Sequence, residues 1–210
     1  MRATFLILGC LILFVMWGVL PLLTTKAFFV HMTMHMGVVA VAAPFLAIGI
    51  AGGRLDPVDQ FPLLFHPIPI SLLELVVVWS WHAPWLHHLA RHTLTGVLAE
   101  QSMFLVCSLL MWFSAFGGRS PHDANRAAAG IIGLLLTMMH MVLLGSLLAL
   151  TPRTLYAHGE SHSGPSELAD QHLGGAIMLV GGGVSYLLGG LWLSLRLLRG
   201  NTIQPKGYNE

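Results

Sequence analysis

Six apolar runs, each long enough to cross a bilayer, constrain this chain more than any other feature. They span residues 4–24, 28–51, 68–90, 95–116, 128–151 and 173–195. About 20 apolar residues in helical conformation cross the hydrocarbon core of a membrane. Charged residues make up only 9% of the sequence, whereas a soluble domain carries about 25%. The sequence therefore predicts an all-α, polytopic integral membrane bundle of six transmembrane helices.

The distribution of basic residues predicts how this bundle is oriented. Residues 1–200 form a single transmembrane domain in this interpretation, and residues 201–210 form a polar tail. Seven of the ten Lys and Arg residues then lie on the side that holds both termini. Short loops rich in Lys and Arg stay in the cytoplasm, so both termini are predicted to be cytoplasmic. The chain has no basic run that would favour nucleic acid.

Histidine and methionine are unusually frequent, with 12 His and 11 Met beside only 10 Lys and Arg. Histidine is costly in hydrocarbon and usually faces the bundle interior or water. His31 and His35 lie one helical turn apart at the start of the second run, with Met34 beside them. Two imidazoles and a thioether are a partial ligand set for a soft metal such as Cu(I). Ordinary packing of these residues at the start of a membrane helix is the alternative.

Two further histidines fall where they could complete such a set. His140 lies near the middle of the fifth run beside Met141, and an imidazole at this depth needs a partner. His82 lies in the third run just before Pro84, which should end or kink that helix near its outer end. The candidate metal ligands are therefore His31, Met34, His35, His82, His140 and Met141.

Other histidines are predicted to be solvated rather than to bind a metal. His87 and His88 follow the proline kink and are typical of the wet end of a helix. His158 and His162 belong to the longest polar stretch, which favours an ordinary solvated loop. In the predicted topology the candidate ligands lie at the outer side of the membrane or near its middle.

Two glutamates, Glu74 and Glu100, fall inside apolar runs. A carboxylate there can fix the tautomer of a ligating histidine, belong to a proton path, or pair structurally with a hydroxyl or amide group. The sequence lacks the motifs of nucleophilic hydrolases, zinc proteases and phosphate-binding loops. A non-enzymatic role is therefore predicted.

Several short stretches carry a family resemblance. They are residues 31–36 (HMTMHM), 81–86 (WHAPWL), 140–141 (HM), 151–156 (TPRTLY) and 170–178 (DQHLGGAIM). In this order they resemble the multi-spanning CtaG-type cytochrome c oxidase assembly factors, over residues 28–195. The motif residues that the resemblance implies are His31, His35, His82, His140, Asp170 and Gln171.

The resemblance implies a protein of the bacterial plasma (inner) membrane that helps to mature haem–copper oxidases. Its partners would be the lipid bilayer and oxidase subunits or other assembly factors, and a homo-oligomer is left open. The predicted function is to bind copper near the outer, periplasmic side and to hand it on. Hydrogen-bond support of the ligands or proton handling is assigned to Glu74, Glu100, Asp170 and Gln171.

Two other functions stay open at this stage. Histidines from two helices could be the axial ligands of haem b in a redox or haem-handling protein. A proton-coupled transporter could instead use the two buried glutamates together with the histidines.

Overall fold

All regular elements in the described part of the chain are helical, which confirms the predicted all-α class. The computed structural model describes residues 1–23, 27–118, 124–156 and 166–201. The predictions for His158, His162 and residues 202–210 concern positions outside these ranges. The helices are α1 (Arg2–Val19), α2 (Phe28–Ile50), α3 (Pro67–Trp81), α4 (Pro84–His92), α5 (Leu94–Phe116), α6 (Ala124–Leu150) and α7 (Glu167–Asn201).

Five of the described helices are long and apolar enough to cross a membrane, namely α1, α2, α5, α6 and α7. The predicted span 68–90 is not one continuous helix. It divides into α3, whose 15 residues cover only about 22 Å, and the short α4. The division arises because Pro84 cannot continue the preceding helix and holds Ala83 in an extended conformation. Of the two predicted effects of Pro84, an end or a kink of the helix, the structure shows an end, and the count of six spans stays a prediction.

Helix α2 lies at the centre of the bundle and α1 at its edge. Of the residues in the membrane-crossing part of each helix, 61% are buried in α2 but only 6% in α1. The middle of α2 is a π-helical stretch, Gly37–Ala42, which disturbs the usual backbone hydrogen bonds. Trp112 Nε1 donates to the Val39 carbonyl at 3.0 Å, and Ser185 Oγ donates to the Ala40 carbonyl at 2.5 Å. These bonds give the two carbonyl groups the hydrogen-bond donors that lipid tails cannot supply.

The two ends of the bundle carry different side chains. Arg2 and Arg196, near the two ends of the described chain, line the same cleft and therefore share one end of the bundle. At that end Asp56 accepts hydrogen bonds from the amides of Gly52 (2.6 Å) and Gly118 (2.7 Å), which ties two loops together. The opposite end holds the start of α2, the α3–α4 break and residues 151–156.

Candidate metal site

Four histidines from three elements converge at the end of the bundle opposite Arg2. His31 and His35 point from α2 with ring centroids 6.4 Å apart. His82, at the α3–α4 break, lies 5.8 Å from His31 and 5.3 Å from His35. His87 of α4 lies 5.1 Å from His31. All four side chains are at most 4% exposed, so the rings form a buried cluster.

A fifth imidazole, His140, approaches this cluster from α6. It is buried and lies close enough to His35 for their charges to interact. The ring of Phe104 covers His35 at 4.1 Å. The structure thus brings the rings of His31, His35 and His82 together and places His140 of α6 near His35. We call His31, His35, His82, His87 and His140 the histidine cluster.

The ring nitrogens of this cluster are suited to bind a cation. Within the described residues, both ring nitrogens of His31, His35 and His140 lack a hydrogen-bond partner, as does Nε2 of His82. The other ring nitrogen of His82 lies 2.6 Å from the Val78 carbonyl, which assigns its proton to Nδ1 and leaves Nε2 as an acceptor. Buried polar groups are normally paired. A bound metal ion would satisfy these nitrogens.

A buried ion pair borders the cluster. Glu100 is fully buried, and Arg91 Nη2 donates to its Oε2. The same oxygen lies 3.7 Å from Nδ1 of His31 and accepts a hydrogen bond from Gln101 Nε2 at 3.3 Å. Donor atoms of His31, His87 and Glu100 lie within 4.8 Å of one another, close enough to hold one metal ion. Glu100 therefore faces the imidazoles, as the supporting role requires.

The prediction that His87 is solvated is wrong. Its ring is buried against Tyr156, with centroids 4.5 Å apart. Because the chain breaks before Pro84, α4 turns one face towards the bundle, and that face carries His87 and Ala90. His88 lies on the other face and is exposed, as predicted. The three-residue spacing of His87 and Ala90, which puts both on one face of a helix, was the sequence signal for this burial.

Asp170 fixes the start of α2, the helix that carries His31. Its Oδ2 accepts from the amide of Phe28 at 2.7 Å, and its Oδ1 accepts from that of Phe29 at 2.9 Å. A carboxylate at a helix start satisfies free amides and complements the helix dipole. Asp170 thus supports the cluster through the backbone of α2.

Gln171 and Tyr156 fix the neighbouring segments in the same way. Gln171 Oε1 accepts from the Leu155 amide at 2.7 Å, and its Nε2 donates to the Arg153 carbonyl at 3.2 Å. The Tyr156 hydroxyl donates to the His82 carbonyl at 2.5 Å. Burial raises the pKa of the Tyr156 hydroxyl well above its usual value, so it remains a donor. Residues 151–156 therefore hold the α3–α4 break in place.

Glu74 lies apart from the cluster, two helical turns before His82. It accepts hydrogen bonds from the Tyr186 hydroxyl at 2.9 Å and from Thr137 Oγ1 at 3.3 Å. Glu74 is therefore paired structurally with hydroxyl groups, which is one of the alternatives that the sequence left open. These bonds join α3 to α6 and α7.

With this geometry in place, the sequence can be compared with known families. The model of the family described as "Cytochrome c oxidase caa3 assembly factor (Caa3_CtaG)" matches residues 1–200. The chain belongs to this family. The match confirms the resemblance read from the short motifs and supports a role in oxidase assembly, in contact with oxidase components and membrane lipids. No curated protein and no solved structure matches the chain.

In this caa3 assembly factor the stretches that carried the resemblance meet at one end of the bundle. The first three contribute His31, His35, His82 and His140, whereas residues 151–156 and 170–178 supply hydrogen bonds that hold the start of α2 and the α3–α4 break. The motifs therefore describe a buried cluster and its support.

The two methionines predicted as ligands take no part in the ring contacts of this cluster in the described part of the chain. Met34 is only half-buried. Met141 is fully buried, and its Cβ lies 2.9 Å from where a Cβ at Gly182 would stand, so part of its side chain packs on α7. Their role as soft ligands stays a prediction.

Replacement of Asp170 by alanine should destabilise this assembly factor by about 2 kcal/mol, because two buried amides lose a charged acceptor. Thermal unfolding in detergent would measure the change. Asp59→Ala removes the same charge from an exposed pair with Arg126 and should cost less than about 1 kcal/mol. Equal losses in the two variants would contradict the capping role.

Proposed function

We propose that this assembly factor binds copper in the histidine cluster and passes it to a subunit of the oxidase in the bacterial plasma membrane. His35 and His140 are the central ligands, and His31 and His82 are auxiliary. A thioether of Met34 or Met141 is a further soft contact in this proposal. The observation that carries it is the set of buried ring nitrogens without partners.

The charge of the site favours a monovalent ion. Arg91 and Glu100 cancel each other beside the cluster, and neutral imidazoles add no charge. A bound Cu(I) ion leaves one net positive charge in a buried environment, whereas Zn²⁺ or Cu(II) leaves two. Uncompensated charge is costly in a medium of low dielectric constant, and imidazole is a good ligand for copper.

The proposed orientation puts the cluster near the outer side of the membrane. It follows from the excess of basic residues at the end that holds Arg2 and Arg196, with α3 and α4 together forming the third of six spans. Helix α4 covers the cluster with His87 and turns His88 outward. A client subunit approaching from outside would therefore meet α4 first.

Elemental analysis of purified protein loaded with Cu(I) tests this function. Copper should be retained by the wild type and lost from His35→Ala and from His140→Ala. His88→Ala is the matched control, because it removes an exposed imidazole from the same end and should leave the copper content unchanged. Unchanged copper in both cluster variants would eliminate the proposed site. A Soret band in the absorption spectrum would instead support the haem b alternative.

A further inference from the structure

A large cleft lies at the end of the bundle opposite the histidine cluster. Its volume is about 820 Å³, and it is bounded by α1, the second half of α2, the end of α5 and the second half of α7. Aromatic side chains form its walls, and small residues such as Ala40 and Gly189 form part of its floor. The aromatic residues are Phe5, Phe45, Phe116 and Trp192.

The cleft results from how the helices pack. Helix α1 packs along α2, whereas α7 packs on α6 and on the first half of α2. The space between α1 and α7 is therefore left open beside α2. Gly189 deepens the floor, since a Cβ there would lie 2.7 Å from the Trp112 ring. Because protein interiors and bilayers are densely packed, an apolar cleft between membrane helices is a place for hydrocarbon.

Two cations line the same cleft, at the first residues of α1 and towards the end of α7. They are Arg2 and Arg196, and the Arg196 guanidinium also lies 5.5 Å from the centre of the Trp192 ring. Among the described residues neither arginine has a carboxylate within ion-pair distance. Two acidic residues of the loop at this end have other partners. Asp56 accepts hydrogen bonds from backbone amides, and Asp59 faces Arg126.

We propose that this cleft binds one anionic phospholipid. An acyl chain lies between the aromatic walls, and the phosphate lies between Arg2 and Arg196. Basic pockets between membrane helices recognise anionic headgroups in this way, and long basic side chains reach the headgroup level from an apolar surface. The site is independent of the proposed copper chemistry and lies at the other end of the bundle.

Native mass spectrometry of the full chain, released from detergent micelles, tests the headgroup. The probes are dioleoyl phosphatidylglycerol and dioleoyl phosphatidylcholine, which share their acyl chains. We expect tighter binding of phosphatidylglycerol. Arg2→Gln and Arg196→Gln should each weaken it about fivefold, and the double variant about 25-fold, whereas phosphatidylcholine, whose choline cation offsets the charge of its phosphate, should lose less than about twofold in each single variant. Arg54→Gln is the control, because Arg54 is exposed at the same end but does not line the cleft.

A second variant tests the acyl chain. Ala51 lines the cleft just beyond the last turn of α2, so Ala51→Phe should weaken both lipids without disturbing the helix. Equal binding of the two lipids by the wild type, or an equal loss in Arg54→Gln and Arg2→Gln, would overturn the proposal. Glycerol phosphate that binds as tightly as the lipid would reduce the site to an anion site and would also overturn it.

Discussion

Glu100→Gln should lower the affinity for Cu(I) by about 100-fold. Glu100 is the buried carboxylate that faces His31 and His87, and its loss leaves the charge of Arg91 uncompensated beside the bound ion. Unit charges about 4 Å apart interact by ~4 kcal/mol at an effective dielectric constant of about 20, and the partial exposure of Arg91 reduces this. Competition with a Cu(I) chelator in detergent solution would measure the affinity.

Replacement of Arg91, the ion-pair partner of Glu100, should have the opposite effect on Cu(I) affinity. Arg91→Gln removes the positive charge and should tighten Cu(I) binding, because Glu100 is then balanced by the metal alone. Glu74→Gln is the matched control, since it neutralises a buried carboxylate that bonds to Tyr186 rather than facing the cluster. A shift in the same direction for the Glu100 and Arg91 variants would contradict the electrostatic account.

Gly175→Ala should destabilise the protein by about 3 kcal/mol. A Cβ at Gly175 would lie 2.8 Å from the Gly145 carbonyl oxygen and closer still to the backbone of Ala149. Backbone atoms cannot rotate away as a side chain does, so α6 and α7 would have to separate, and overpacking of this kind costs about 1–3 kcal/mol or more. Thermal unfolding followed by tryptophan fluorescence would detect it.

Gly190→Ala, on the same helix, is the control and should act in the opposite direction. Among the described residues, no atom outside the backbone of its own helical turns lies within 4 Å of a Cβ at Gly190. Alanine favours a helix over glycine by about 1 kcal/mol. Gly190→Ala should therefore leave the protein as stable as the wild type or more so. Similar losses for the Gly175 and Gly190 variants would mean that the α6–α7 contact is not the cause.

Local sequence patterns predicted the helices and the grouping of His31, His35 and His82. The four-residue spacing of His31 and His35 sets a common face on α2, and the alternating direction of successive spans brings the start of α2 and the α3–α4 break to one end of the bundle. The position of His140 in the middle of an apolar run predicted a side chain that faces the bundle interior, and His140 is buried. These inferences depend only on helical geometry and on the thickness of a membrane.

The supporting contacts could not be predicted, because they join residues far apart in sequence. Asp170 accepts from the amide of Phe28, 142 positions away, and no local pattern indicates which helix start a carboxylate will reach. His87 was placed in water because it follows Pro84, where the third helix was expected to end or kink at the membrane surface. The break turns α4 back towards the bundle, and this change of direction decides the burial of His87.

The bond between Asp170 and the start of α2 has a consequence for biosynthesis. Ribosomes synthesise α2 well before α7, so the first turn of α2 lacks its acceptor until α7 has entered the bilayer. Gln171, on the same helix, fastens residues 151–156 at that moment too. A nascent chain therefore contains His31, His35 and His82 before it can fix their relative positions, and the supports of the cluster are complete only after α7 has been synthesised.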